Sequence, residues 1–203
     1  MQHTVEFFFD FRSPYSYMAY SQLSNMDVEI ILKPMVVLKV MEQVGNVPTT
    51  LICGVKAKYA RVDLGRWAKR YGVPLNPSDM KANDGEACLR AVLAASSAKD
   101  AATITSALYL GCWGEAKPLT NKQDIMAVIA AAGVDADSIG ERMDDPAVVA
   151  ALESSTNEAA TRGRPHAKPI QTARAGNRRW PWNGCFRGAS FRRRGLSGGH
   201  AGA

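Results

Sequence analysis

The chain has 203 residues, 46% hydrophobic and 22% charged, the make-up of one soluble domain or of a domain carrying an insertion. That length supports a buried core without disulfide or metal staples, and no stretch nears the roughly 18–20 uninterrupted apolar residues of a membrane span. The net charge of +6 averages two unlike parts: residues 1–158 hold all 19 acidic residues and 15 of the 25 basic ones, a net of −4, whereas residues 159–203 hold ten basic residues, no acidic ones and eight of the 17 glycines.

At the start, Met1 to Thr4 lacks a basic region and the apolar run from Val5 is broken by Asp10 and Arg12, so no signal peptide is expected. Thr4 to Phe9 predicts a strand, β-branched and aromatic and apolar enough to be buried on both faces. Ser13-Pro14 predicts a helix start, with Ser as N-cap and Pro in the first turn, and the helix runs to about Asn25. Asp27 to Leu32 predicts a second strand, and a helical crossover between the two implies a parallel pair.

Met35 to Val44 predicts a short helix stopped by Gly45-Asn46-Val47-Pro48, and Lys56 to Tyr71 an amphipathic one with basic residues on its outer face and Gly72 just past its end. Asn83 with Glu86 predicts a capping-box variant before Cys88 and Leu89. Further helices are expected over Ala101 to Trp113, Asn121 to Ala132 and Ala147 to Arg162, the last introduced by Asp145-Pro146. After Gly163 the periodicity ends. That acid-free, Arg- and Gly-rich stretch reads as disordered, because it cannot bury enough apolar surface to offset its ordering entropy.

Four cysteines (Cys53, Cys88, Cys112, Cys185) form no C-x-x-C pair. This excludes a zinc ribbon or dithiol motif and suits a reducing cytoplasm, with Cys53, Cys88 and Cys112 unreactive or buried thiols. No metal site is expected. The informative stretch is Phe9-Asp10-Phe11-Arg12-Ser13-Pro14-Tyr15-Ser16. A strand turning directly into a helix sets unpaired N–H groups and the positive helix end beside the Ser13 hydroxyl, where an anion such as a thiolate is stabilised. Ser13 also reads as simply the cap of its own helix, which most N-cap serines are.

The stretch from Phe7 to Ala19 resembles the opening of the 2-hydroxychromene-2-carboxylate isomerases, relatives of kappa-class glutathione transferases. Gly45-Asn46-Val47-Pro48, Lys56 with Tyr59, the segment from Val62 to Ala68, Tyr71 to Pro74 and Trp113-Gly114-Glu115 extend the resemblance from residue 4 to about Arg162. It implies an α/β, thioredoxin-like fold of the DsbA type with an inserted all-helical domain. Residues 1–44 would form the β-α-β part, 45–162 the helical insert and return helix, and 163–203 a tail. Disulfide-forming members carry Cys-Pro-x-Cys where this chain has Ser13-Pro14-Tyr15-Ser16, so dithiol exchange at this junction is excluded.

The resemblance also implies a function: glutathione-dependent conversion of 2-hydroxychromene-2-carboxylate to trans-o-hydroxybenzylidenepyruvate in aromatic degradation. Ser13 would favour the thiolate, and Asn46 and Lys56 would lie against glutathione. For the aromatic substrate, Tyr15, Asn83 and Trp113 are candidates, although Asn83 also suits a cap and Trp113 a core position. The lysine that some relatives use for substrate falls near Met41, which leaves Lys39 as its substitute. A homodimer is implied, with no membrane and no nucleic-acid partner. Two alternatives stay open: kappa-class-like glutathione transfer to electrophiles, and a non-catalytic binder with a basic tail. Relatives continue past the long helix with a cis-proline turn, two strands and a last helix, none of which follows Gly163 here. The tail resembles a shifted reading frame, which implies that the chain as written is unstable or inactive; reading the coding DNA near codon 163 one base over checks this.

Overall fold

A computed structural model describes residues 3–163. The expectations of a disordered tail, a missing half-sheet and a shifted frame concern residues 164–203 and lie outside the described residues. The chain opens with β1 (His3–Phe9), α1 (Pro14–Leu23) and β2 (Val28–Pro34). The two strands pair in parallel, from His3 opposite Val28 to Phe9 opposite Pro34, as the short helical crossover requires. The bond from Met35 N–H to the Phe9 carbonyl, 2.9 Å, prolongs the pairing by one step.

β1 differs from the expectation of burial on both faces: only Phe9 is fully buried. Phe7 and Phe9 point to one side, where Phe7 stacks on Tyr20 at 5.9 Å and Phe9 meets Tyr109 at 5.9 Å. Phe8 points to the other, beneath the cations of Lys33 and Arg162. Those cations also reach Glu6 and Glu158, so among the described residues this face is covered by the stems of charged side chains.

Helices make up the rest: α2 (Val37–Gln43), α3 (Thr49–Ile52), α4 (Gly54–Tyr71), α5 (Gly85–Leu93), α6 (Ala98–Tyr109), α7 (Lys122–Ala131), α8 (Ala136–Arg142) and α9 (Pro146–Gly163). Their ends follow local chemistry. Ser13 caps α1 through the Ser16 N–H, Ser97 caps α6, Asn121 caps α7 and Asp135 caps α8, each satisfying one orphan donor. Gly72 ends α4 at φ +67°, a left-handed position that glycine takes without strain. The expected cap at Asn83 moves one residue, to Asp84, whose carboxylate accepts from the Ala87 N–H at 2.9 Å. The helix expected to run through Trp113 instead widens after Tyr109 into one π turn, Leu110–Gly114. That turn aims the carbonyls of Cys112 and Trp113 at the N–H groups of Ser78 and Asn76, 2.8 and 2.7 Å away.

One continuous core crosses the boundary drawn at residue 44. It joins Phe9, Phe11, Tyr17 and Tyr20 to Leu89, Ile104, Leu108, Leu119, Ile125 and Ile129. Tyr109 is its hub, with rings of Phe9, Phe11, Tyr17 and Tyr20 4.7–5.9 Å from its own. This cluster packs against the buried face of α1 through Tyr17 and Tyr20. No helix of the described residues is long and apolar enough to cross a membrane.

Candidate active site

The junction between β1 and α1 is fixed from below by a buried carboxylate. Asp10, 1% exposed, accepts the Arg12 N–H at Oδ1 and the Val37 N–H at Oδ2, both at 2.8 Å. It thereby ties the loop before α1 to the start of α2. Burial, the dominant influence, raises its pKa despite those two donors and the nearby Arg12 charge. The Asp10 carbonyl accepts the Ser13 N–H at 3.0 Å, and the Phe11 carbonyl accepts the Trp113 indole N–H at 2.7 Å.

Ser13 sits at the end of this scaffold. Its Oγ accepts the Ser16 N–H at 3.3 Å, so the capping role is realised. That bond uses an oxygen lone pair, and among the described residues it is the only one Ser13 Oγ makes. The hydroxyl hydrogen stays available to donate. Capping and anion binding are therefore compatible in one side chain. The hydroxyl opens on a cavity of about 730 Å³ between α1, α2, α3, α4 and the segment around Met80.

Of the residues expected at the site, Ser13, Tyr15 and Asn46 line this cavity. Tyr15 is half exposed, and partial burial with the Asp63 charge nearby raises its phenol, which keeps it a neutral donor. Lys56 lies beside the wall residue Ala57 but is not part of the wall. Lys39 is elsewhere: it pairs with Glu86 at 3.1 Å and lines a separate groove against α9. Asn83 and Trp113 are core residues, 5% and 7% exposed. The Asn83 amide donates to Ser78 Oγ and accepts from the Leu119 N–H, which spends it on joining two loops. Trp113 spends its only donor on Phe11.

The wall adds residues that sequence reasoning did not single out. Arg12, Arg61 and Lys81 bring three cations, and among the described residues no Asp or Glu lines the cavity. Leu38, Met41, Val47 and Leu64 supply apolar surface. Arg12 stood in the informative stretch and Arg61 on the basic face of the predicted helix, so a signal existed; their convergence did not. Cys88 and Cys112 are free thiols, both buried. Burial pushes Cys112 up to about 12 and Cys88 well above its usual range, so neither offers a thiolate at neutral pH. What the site can do is hold an amphipathic anion beside a hydroxyl donor at a helix N-terminus.

Comparison with known proteins agrees with this architecture. The chain is 28% identical over 169 residues, 80% of its length and 85% of the relative's, to a 2-hydroxychromene-2-carboxylate isomerase of Sphingobium xenophagum. It is 25% identical over 76% of its length, and 74% of the relative's, to glutathione S-transferase kappa 1 of Caenorhabditis elegans. A solved 2-hydroxychromene-2-carboxylate isomerase superposes with a TM-score of 0.69 at 26% identity, over 78% of this chain and 80% of that one. A probable DsbA oxidoreductase from Streptomyces coelicolor shares the fold, with a TM-score of 0.59 at 18% identity over 79% and 76% of the two chains. Residues 4–164 match the family of DSBA-like thioredoxin domains, and the chain belongs to that family.

Proposed function

We propose that this protein is a glutathione-dependent isomerase that converts 2-hydroxychromene-2-carboxylate to trans-o-hydroxybenzylidenepyruvate. The observation that carries the reading is the cavity itself: Ser13 with a spare hydroxyl hydrogen, on an apolar wall studded with Arg12, Arg61 and Lys81 and, among the described residues, free of acids. Similarity to proteins named as that isomerase supports it. The fit to glutathione rests on the same donors, since a peptide with a thiolate and two carboxylates matches a helix N-terminus ringed by cations.

When bound, glutathione supplies a thiolate nucleophile. Ser13 donates its hydroxyl hydrogen toward the sulfur position, and the first-turn N–H groups of α1 add the positive end of the helix dipole. Asn46 would contribute an amide from the turn before α3, while Lys56, outside the wall, would act only through its charge from beside Ala57. Leu38, Met41 and Val47 hold the aromatic body of the substrate and exclude water around it. The reading extends to a cytoplasmic homodimer acting in aromatic degradation.

The test follows the ultraviolet change of the chromene with and without glutathione. It is run on this chain and on a chimaera whose residues after Gly163 come from the Sphingobium relative. The chimaera isomerises only with glutathione; no glutathione-dependent change in either protein sinks the claim. A second reading, glutathione transfer to electrophiles, is favoured by the similarity to the kappa 1 transferase. Conjugation of a chlorinated aromatic without action on the chromene selects it.

A further inference from the structure

The Ser13 cavity needs a cation for the carboxylate of its substrate, and the residue expected to provide it, Lys39, is held by Glu86 in a different groove. Among the described residues, Arg12, Arg61 and Lys81 line the cavity instead. Arg61 and Lys81 are exposed, whereas Arg12 is half-buried and adjoins Ser13 in the chain. The Arg12 guanidinium makes no hydrogen bond or ion pair among the described residues, and its Nε is buried without a partner. The neighbouring Asp10 carboxylate accepts a backbone N–H at each oxygen and makes no hydrogen bond or ion pair with the guanidinium, although its charge lies nearby.

The room for this side chain is built in. A Cβ on Gly85 would lie 2.9 Å from Arg12 Nε, 3.3 Å from its Cγ and 3.4 Å from its Cδ. A partly desolvated guanidinium with unspent donors binds a carboxylate more strongly than a solvated one and can do so through two parallel N–H bonds.

We propose that Arg12 is the carboxylate-binding residue of this cavity, selecting planar aromatic or unsaturated acids over their neutral analogues. The assignment deepens the isomerase reading and rests on the same cavity, but binding tests it without turnover. The probes are 2-hydroxycinnamate and 2-hydroxycinnamamide, titrated into the full chain and into the chimaera and followed by calorimetry. Both proteins are first checked for native circular dichroism.

The acid binds at least about tenfold more tightly than the amide. Arg12→Gln abolishes that preference by weakening only the acid. Arg12→Lys restores part of it, since the charge returns without the fork. Gly85→Ala, which keeps the charge but displaces Nε, weakens the acid by about three- to tenfold. In chromene turnover Arg12→Gln raises KM for the acid far more than half-saturation by glutathione. An acid preference that survives Arg12→Gln, or that is lost on Lys39→Gln instead, overturns the assignment. Absent isomerisation with an intact Arg12-dependent preference refutes the isomerase reading alone.

Discussion

Trp113 separates a wall residue from a structural one, and replacing it tests the account of how the junction is held. Its indole is 7% exposed and donates to the Phe11 carbonyl at 2.7 Å, two residues before Ser13. Trp113→Phe keeps an aromatic ring but leaves that buried carbonyl without its donor, at a cost of about 1–3 kcal/mol. Incomplete filling of the indole volume adds to this, for a total of about 2–4 kcal/mol. With a urea slope of about 2 kcal/mol per molar for a domain of this size, the unfolding midpoint falls by about 1–2 M. Far-ultraviolet circular dichroism is the assay, because the substitution itself alters tryptophan fluorescence. Under native conditions, chromene half-saturation changes by less than about threefold, since the side chain does not face the cavity. An unchanged midpoint together with a large rise in KM refutes the structural reading and returns Trp113 to the substrate wall.

Asp10→Asn leaves one of two backbone donors facing an amide NH₂, so stability at pH 7 falls by about 1–3 kcal/mol. Burial raises the Asp10 pKa above its ordinary 3.8, so the native state holds this proton more tightly than the unfolded chain. Wild-type stability therefore gains from this group as pH falls from the raised value toward 3.8. The gap to the Asn variant widens over that window, and a narrowing gap contradicts the assigned direction. Cys88 and Cys112, both buried with raised pKa values, react with a thiol reagent at pH 8 only once urea unfolds the chain; rapid native labelling of either refutes their burial. Gly72→Ala, at φ +67°, costs about 1–2 kcal/mol. Gly65→Ala, inside α4 with nothing within 4 Å, gains about 0.5–1 kcal/mol; equal effects at the two sites contradict the backbone argument.

Features set by neighbours in sequence were legible, and those set by distant partners were not. The Ser13-Pro14 helix start, the parallel strand pair and the Gly72 terminus follow from local chemistry. The shift of a cap from Asn83 to Asp84 depends on Leu119, whose N–H claims the Asn83 side-chain amide oxygen from 36 positions away. The π turn after Tyr109 carries no local marker, since its carbonyls serve Asn76 and Ser78 in another loop. The single turn α3 and the seven-residue α8 are too short for periodicity to reveal. Lys39 looked available until Glu86, 47 residues on, took its charge. Arg12 could be read as basic and next to Ser13, but the space Gly85 leaves for it exists only once α5 is packed.

Ser13 is the residue on which the functional reading turns, and Ser13→Ala in the chimaera tests it most directly. The variant removes both the cap acceptor and the donor facing the cavity. Glutathione-dependent isomerisation of the chromene, followed in the ultraviolet, falls by about one to three orders of magnitude, with native circular dichroism retained below the unfolding transition. Turnover equal to that of the parent protein contradicts the account and leaves Ser13 as the cap of α1 alone.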